Sequence, residues 1–220
     1  MDLSAKAIDV HERLLAAYGV PKPKPQRDPL SELILTILSQ NTSDLNSGRA
    51  FDQLVARFPT WAQALAAGPE AIARAIRVGG LADVKAPRIH AILSRLQHEQ
   101  GELSLDLLAG MSAPEARKYL LGLPGVGPKT AACVLLFSLH EPALPVDTHV
   151  HRVSQRVGLV PGNASAEKAQ ALLEALLSAE YYYPFHLNVI HHGRTVCVAR
   201  APRCSGCPLA AVCDDWHRRT

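Results

Sequence analysis

The stretch Leu123-Pro124-Gly125-Val126-Gly127-Pro128-Lys129-Thr130-Ala131 decides how this chain is read. Helical periodicity from Ala113 to Leu121 runs into it, and a second helix begins at Pro128 or Lys129, so the segment spells a helix-hairpin-helix. Two glycines permit positive φ and let the backbone of the turn approach a ligand with no Cβ in the way. The unpaired amides at the start of the second helix lie at its positive dipole end and suit a phosphate. Pro128 is tolerated there because a first-turn N–H has no partner inside the helix. Gly-x-Gly between helices is also common as a plain tight connection bearing a surface lysine. The proline before it and Lys129-Thr130-Ala131 after it favour the phosphate clamp.

Working outward, the periodicity is helical almost throughout. Ile8, Val10, Leu14, Leu15 and Tyr18 share one face of a first helix, which Pro21-Lys22-Pro23-Lys24-Pro25 breaks. Asp28 is an N-cap and Pro29 a first-turn residue for a strongly apolar helix over 30–39. Asp44 reads as the cap of a helix over 45–58, and further helices follow at 61 onward and over 85–100. Strand signals are poor, no 20–50-residue period repeats, and the pattern predicts an all-α protein of about ten helices. The 220 residues are 48% hydrophobic and 20% charged, enough for one sizeable core or two modest ones. No apolar run reaches membrane-spanning length and the start lacks a secretory pattern, which predicts a cytoplasmic protein. The net charge of +3 permits nucleic-acid binding without proving it.

Four of the five cysteines, Cys197, Cys204, Cys207 and Cys213, are spaced C-x6-C-x2-C-x5-C. Without a secretory signal this favours a thiolate-ligated inorganic centre over a disulfide knot. Zinc usually takes two close Cys pairs, and here only Cys204 and Cys207 form one, so an iron–sulfur cluster is favoured over zinc. Cys133 lies in an apolar helical run and reads as an inert core residue. Arg194, Arg200 and Arg203 form either a cationic surface for phosphates or a solvated face. In Val146-Asp147-Thr148-His149, Asp147 is an N-cap candidate, and a carboxylate with a lysine amine is a workable pair for chemistry on an electrophilic sugar.

The hairpin, Val146-Asp147-Thr148-His149, and His192-Gly193-Arg194 leading into the cysteines occur together in this order, and in them the chain resembles the endonuclease III family of DNA glycosylases over nearly its whole length. The resemblance implies two helical lobes: a barrel over residues 30–141 holding the hairpin (about 113–137), and a second lobe of residues 1–29 plus 142–220 holding a [4Fe–4S] cluster on the four cysteines. It implies a bifunctional glycosylase and AP lyase acting on damaged double-stranded DNA. Lys129 would be the nucleophile attacking the sugar C1′ of an extruded nucleotide, and Asp147 its essential partner across a cleft. Oxidised pyrimidines are the substrates implied, with strand cleavage 3′ to the lesion by β-elimination through a Schiff base. Gly125, Val126, Gly127 and Thr130 would hold DNA at the hairpin. Nothing implies an obligate protein partner, and a monomer is expected.

The chain departs from the family where the extruded base is replaced. Family members carry Ser-Ala-Gln-Ala-Thr-Asp where this chain has Ser39-Gln40-Asn41-Thr42-Ser43-Asp44, so either Gln40 or Asn41 could enter the stack, Asn41 being the positional match. Leu81 in the next loop is either an apolar wedge or a helix-capping contact. The aromatic run over 180–185 suits inter-helix packing better than base stacking. Rival functions are an adenine- or thymine-mismatch glycosylase of the same superfamily, a non-catalytic DNA-binding module, and an iron–sulfur electron carrier. Lys129 speaks against the mismatch enzymes, its pairing with Asp147 against simple binding, and the hairpin against the electron carrier.

Overall fold

The computed structural model describes residues 2–23 and 25–219, all-helical with no strand among them; Lys24 of the proline break lies outside the described residues. No helix among the described residues is long and apolar enough to cross a membrane. The first helix, α1, spans Leu3–Tyr18. The chain divides into two compact units, Gln26–Glu141 and Met1–Pro25 with Pro142–Thr220. The first begins four residues before the expected position 30, because Gln26 Nε2 donates to the Ser138 carbonyl at 3.0 Å and Ser138 Oγ donates to the Arg27 carbonyl at 2.6 Å.

Within Gln26–Glu141 the central helix is α2 (Pro29–Leu38). Asp28 caps it by accepting from Ser31 N at 2.9 Å, and Pro29 occupies its first turn. Leu30, Leu33, Ile34, Ile37 and Leu38 are each no more than 1% exposed, so α2 is apolar on nearly every face. The helix α3 (Asp44–Arg57) is capped by the Ser43 hydroxyl, which accepts from Asn46 N, not by Asp44 as the sequence suggested. Asp44 becomes the first helical residue, where a carboxylate complements the dipole. The helix α4 (Trp61–Ala75) is capped by Thr60 and kinks at Gly68, φ 79, just before Pro69. After it come α5 (Ala82–Gln100), three residues longer at its start than the pattern indicated, then α6 (Ala113–Gly122) and α7 (Pro128–Phe137). A capping box closes the start of α6, with Ser112 N donating to Glu115 at 2.9 Å; hydrogen bonds from Ser112, side chain first and backbone second, hold the Glu115 carboxyl below its usual pKa. The α2 helix packs on α7, and α4 on α5.

In the other unit α1 is joined by α8 (Thr148–Val157), α9 (Ala166–Leu176), α10 (Tyr182–Thr195) and the short α11 (Asp214–His217). The α10 helix packs on both α1 and α8. The aromatic run serves packing as expected: Phe185 is fully buried, Tyr181 stacks on His11 with centroids 4.7 Å apart, and Tyr182 donates to the Glu174 carbonyl at 2.8 Å.

Because Leu33 is fully buried on the central helix, Leu33→Ala should lower the unfolding free energy of its unit by about 2–5 kcal/mol. Urea denaturation followed by circular dichroism measures this.

Candidate active site

The hairpin runs from Gly122 at the end of α6 to Pro128 at the start of α7. Leu123 and Val126 turn inward, 3% and 7% exposed, and anchor the turn in the unit's core. Gly125 has φ +73, and a Cβ there would stand 2.8 Å from Cδ of Arg88 on α5. Both its backbone and its close neighbour therefore require glycine. Gly127 differs from expectation: its φ is −100 and nothing lies within 4 Å of a Cβ, so the turn needs positive φ at only one of its two glycines. Lys129 is half-buried in the first turn of α7. Thr130 is 4% exposed and accepts from Gln40 Nε2 at 3.4 Å. The side chains of Val126 and Thr130 thus face the interior, and the Val126 amide donates within the turn to the Leu123 carbonyl at 3.2 Å.

The two amides left open by the sequence differ in the structure. Gln40 is engaged at both ends, donating to Thr130 and accepting from Arg88 Nη1 at 3.2 Å. Asn41 is exposed and holds φ 54. Leu81 also adopts a left-handed backbone, φ 51, and exposes 51% of its surface at the entry to α5. A capping contact would have buried it.

In the other unit Asp147 is the N-cap of α8, its Oδ1 accepting from His149 N at 2.9 Å and Val150 N at 2.7 Å. Two arginines one turn apart tie this helix to the cysteine segment. Arg152 donates to the carbonyls of Cys197 at 3.0 Å and Gly193 at 2.8 Å. Arg156 donates to the carbonyls of Val198 and Ala199 at 2.8 and 2.9 Å, and to Cys197 Sγ at 3.4 Å. Gly193 permits the close seating, since a Cβ there would fall 2.9 Å from the His149 Cβ.

Cys197, Cys204, Cys207 and Cys213 are half-buried, unpaired by disulfides, and line a single cavity with His192, Arg156 and Arg203. Among the described residues no three potential ligands converge on a point that one metal ion could fill. Burial raises the Cys207 and Cys213 thiols above their ordinary pKa, and the neighbouring cysteines add to it. Burial, with His191 nearby, pushes His192 down to about 4. Its Nδ1 shares a hydrogen bond with the Tyr18 hydroxyl at 2.8 Å, and its Nε2 lies 3.6 Å from Cys207 Sγ. Arg194, Arg200 and Arg203 are all exposed, and Cys133 is buried.

Residues 34–179 match the HhH-GPD superfamily of base excision DNA repair proteins. An endonuclease III of Thermotoga maritima is 36% identical over 199 residues, covering 90% of this chain and 89% of that protein. The chain belongs to the endonuclease III family. An Arabidopsis thaliana protein with a DNA glycosylase name is 42% identical over 165 residues, 75% of this chain, and the chain spans 56% of that protein's length. A solved non-covalent endonuclease III–DNA complex superposes with TM-score 0.85 at 27% identity, over 100% of this chain and 99% of that one. The family pattern pointed to Asp147, Lys129, the cysteines and His192 but not to the residues that brace their surroundings: Arg88 behind the hairpin turn, Arg152 and Arg156 on α8, and Tyr18 against His192. Only the i, i+4 spacing of Arg152 and Arg156 hinted at a shared target on one helix face.

Gly125→Ala should lower thermal stability by about 1–2 kcal/mol through backbone strain and the collision with Arg88. In an Arg88→Ala background the collision disappears and only the backbone part, about 1 kcal/mol, should remain. Differential scanning calorimetry of the four proteins resolves the two.

Proposed function

We propose that this chain is a DNA glycosylase of base excision repair with AP lyase activity, removing oxidised pyrimidines from duplex DNA. The observation that carries it is a half-buried lysine in the first turn of a helix entered through a glycine hairpin, in a chain of the endonuclease III family. The hairpin turn, with its exposed Gly125, and the amides opening α7 hold a backbone phosphate of the duplex. The damaged nucleotide leaves the stack, and Asn41 and Leu81 occupy the space it vacates.

The Lys129 amine then attacks C1′ as the C1′–N bond breaks and the base departs with the electron pair, taking up a proton. Asp147 stabilises the positive charge that builds on the sugar and accepts the proton the lysine sheds. Ring opening yields an imine between Lys129 and C1′. Loss of a C2′ proton then expels the 3′ phosphate by β-elimination, and water releases the lysine. Asp147 serves this role while its Oδ1 is fixed by two backbone amides, which sets the direction of the carboxylate.

We further propose that the four cysteines hold a [4Fe–4S] cluster, since four thiols around one cavity suit a cube better than a single ion. The cluster supplies a rigid link between the end of α10 and the C-terminal segment. Arg194 in the last turn of α10, with Arg200 and Arg203 between Cys197 and Cys204, contributes phosphate contacts. We place the protein as a monomer on cytoplasmic, nucleoid DNA, where a net charge of +3 suits a polyanionic partner.

Borohydride reduction on duplex DNA with an abasic site tests the lyase. The parent should form a covalent adduct, and Lys129→Ala none. Asp147→Asn should keep the helix cap, because asparagine caps as well as aspartate, yet trap on the order of 100-fold more slowly. No adduct from a folded, DNA-binding parent would replace this proposal with a monofunctional glycosylase or a binding module. Iron and sulfide analysis should find about four of each per chain, and Cys204→Ser should lose the yellow-brown colour and weaken duplex binding. Stoichiometric zinc without iron would overturn the cluster assignment.

A further inference from the structure

Lys85 is the largest of the fully buried side chains, 1% exposed on α5. Its ammonium donates to the carbonyl of Leu38 at 2.7 Å and to the carbonyl of Gly79 at 3.0 Å. Leu38 is the last residue of α2, where a carbonyl lacks a partner inside the helix, and it is the stem of the turn that carries Asn41. Gly79 is the stem of the turn that carries Leu81. One buried cation therefore bridges the bases of both turns. Packing alone would not select it. A leucine or methionine would fill the same space without desolvating a charge, and burial lowers the Lys85 pKa, a sign of that cost.

The turns themselves need such a clamp. Asn41 has φ 54, Gly80 φ 68 and Leu81 φ 51. Left-handed backbone at a residue with a Cβ persists only where the surroundings over-determine it. Gly79 is held from the other side as well, since a Cβ there would stand 2.9 Å from the Ala50 Cβ on α3.

We propose that Lys85 is a positioning residue that locks the Asn41 turn to the Leu81 turn, so that the two side chains enter duplex DNA as one wedge. This rests on the function proposed above. In that setting it explains how an asparagine, one methylene shorter than the family's glutamine, is held out where it can reach the stack: its reach is set by the stem.

The test is a double-mutant cycle on affinity for a duplex bearing a tetrahydrofuran abasic analogue opposite 2-aminopurine, whose fluorescence reports unstacking without any chemistry. Asn41→Ala, Leu81→Ala and the pair are measured in the parent and in Lys85→Met. In the parent the pair should differ from the product of the singles by about 3-fold or more. Lys85→Met should weaken duplex binding by on the order of 10- to 100-fold and make the two substitutions independent. Borohydride trapping on a single-stranded abasic oligonucleotide, which needs no wedge, should change by less than about 3-fold in Lys85→Met. Independent effects in the parent, or equal losses on duplex and single strand, would overturn the proposal. If Lys85→Met does not fold, Lys85→Gln, which keeps a donor for only part of the bridge, takes its place in the cycle, and unchanged coupling and duplex affinity in it would overturn the proposal. A parent that shows coupled turns yet traps on neither substrate would sink the lyase and leave the wedge standing.

Discussion

A helix leaves its first amides and its last carbonyls without partners inside itself, and in this protein the closing of those ends determines where every candidate site residue stands. Lys129 lies in the first turn of α7, Asp147 caps α8, Asn41 follows the end of α2, Leu81 precedes the start of α5, and Cys197 follows α10. An all-helical chain has no sheet edge on which to mount a site. Its helix ends provide oriented hydrogen-bonding groups and a partial charge, and the turns between them are where the backbone can approach a ligand.

The ends are closed by different means, and the choice sets what each can do. At α8 the closing group is the carboxylate of Asp147 itself, so one side chain both caps the helix and holds a fixed direction. At α2 the closure is shared, the Lys85 ammonium reaching the Leu38 carbonyl from afar while the Ser39 hydroxyl donates to the Thr36 carbonyl at 2.8 Å. At the end of α10 the chain closes on its own backbone, Cys197 N donating to the His192 carbonyl at 2.9 Å, while Arg152 and Arg156 take up the carbonyls of Gly193 and Cys197–Ala199. The cysteine segment is thereby fixed to the helix that Asp147 begins.

What the sequence made legible was local. The hairpin, the Asp28 and Asp147 caps, the helical class and the cysteine spacing are all written within spans of a few residues, where turn chemistry and periodicity act directly. What it hid depends on partners distant in the chain. Lys85 reads as one more polar residue at the start of an amphipathic helix, yet its acceptor on Leu38 is 47 positions away. Arg88 and Gln40 are 48 apart, and Arg152 and Cys197 are 45 apart. The same blindness hid that the Val126 and Thr130 side chains point inward, since one residue of the hairpin can be buried while its neighbour Lys129 is only half-buried. It also credited Gly127 with a positive φ that only Gly125 needs. Asp44 lost its cap to Ser43 by a single position, the scale at which helix ends are hardest to place.

The pairing of Gln40 and Asn41 shows why the departure from the family matters physically. Gln40 cannot swing into a duplex without giving up its bonds to Thr130 and Arg88, and Arg88 in turn lies against Gly125 of the hairpin. Its amide therefore joins the turn after α2 to the helix that begins with Pro128 and Lys129. Asn41, next in the chain, is free of that duty by virtue of its left-handed backbone, which turns it outward from the same framework. Two adjacent amides thus differ in how they are mounted, Gln40 tied to the lysine helix and Asn41 exposed beside it. A shorter probing side chain gains reach only if its stem does not yield, and here the stem is held through Gln40 on one side and Leu38 on the other. Where the Asn41 amide stands thus depends on how rigidly the turn is mounted as much as on the length of the side chain it presents.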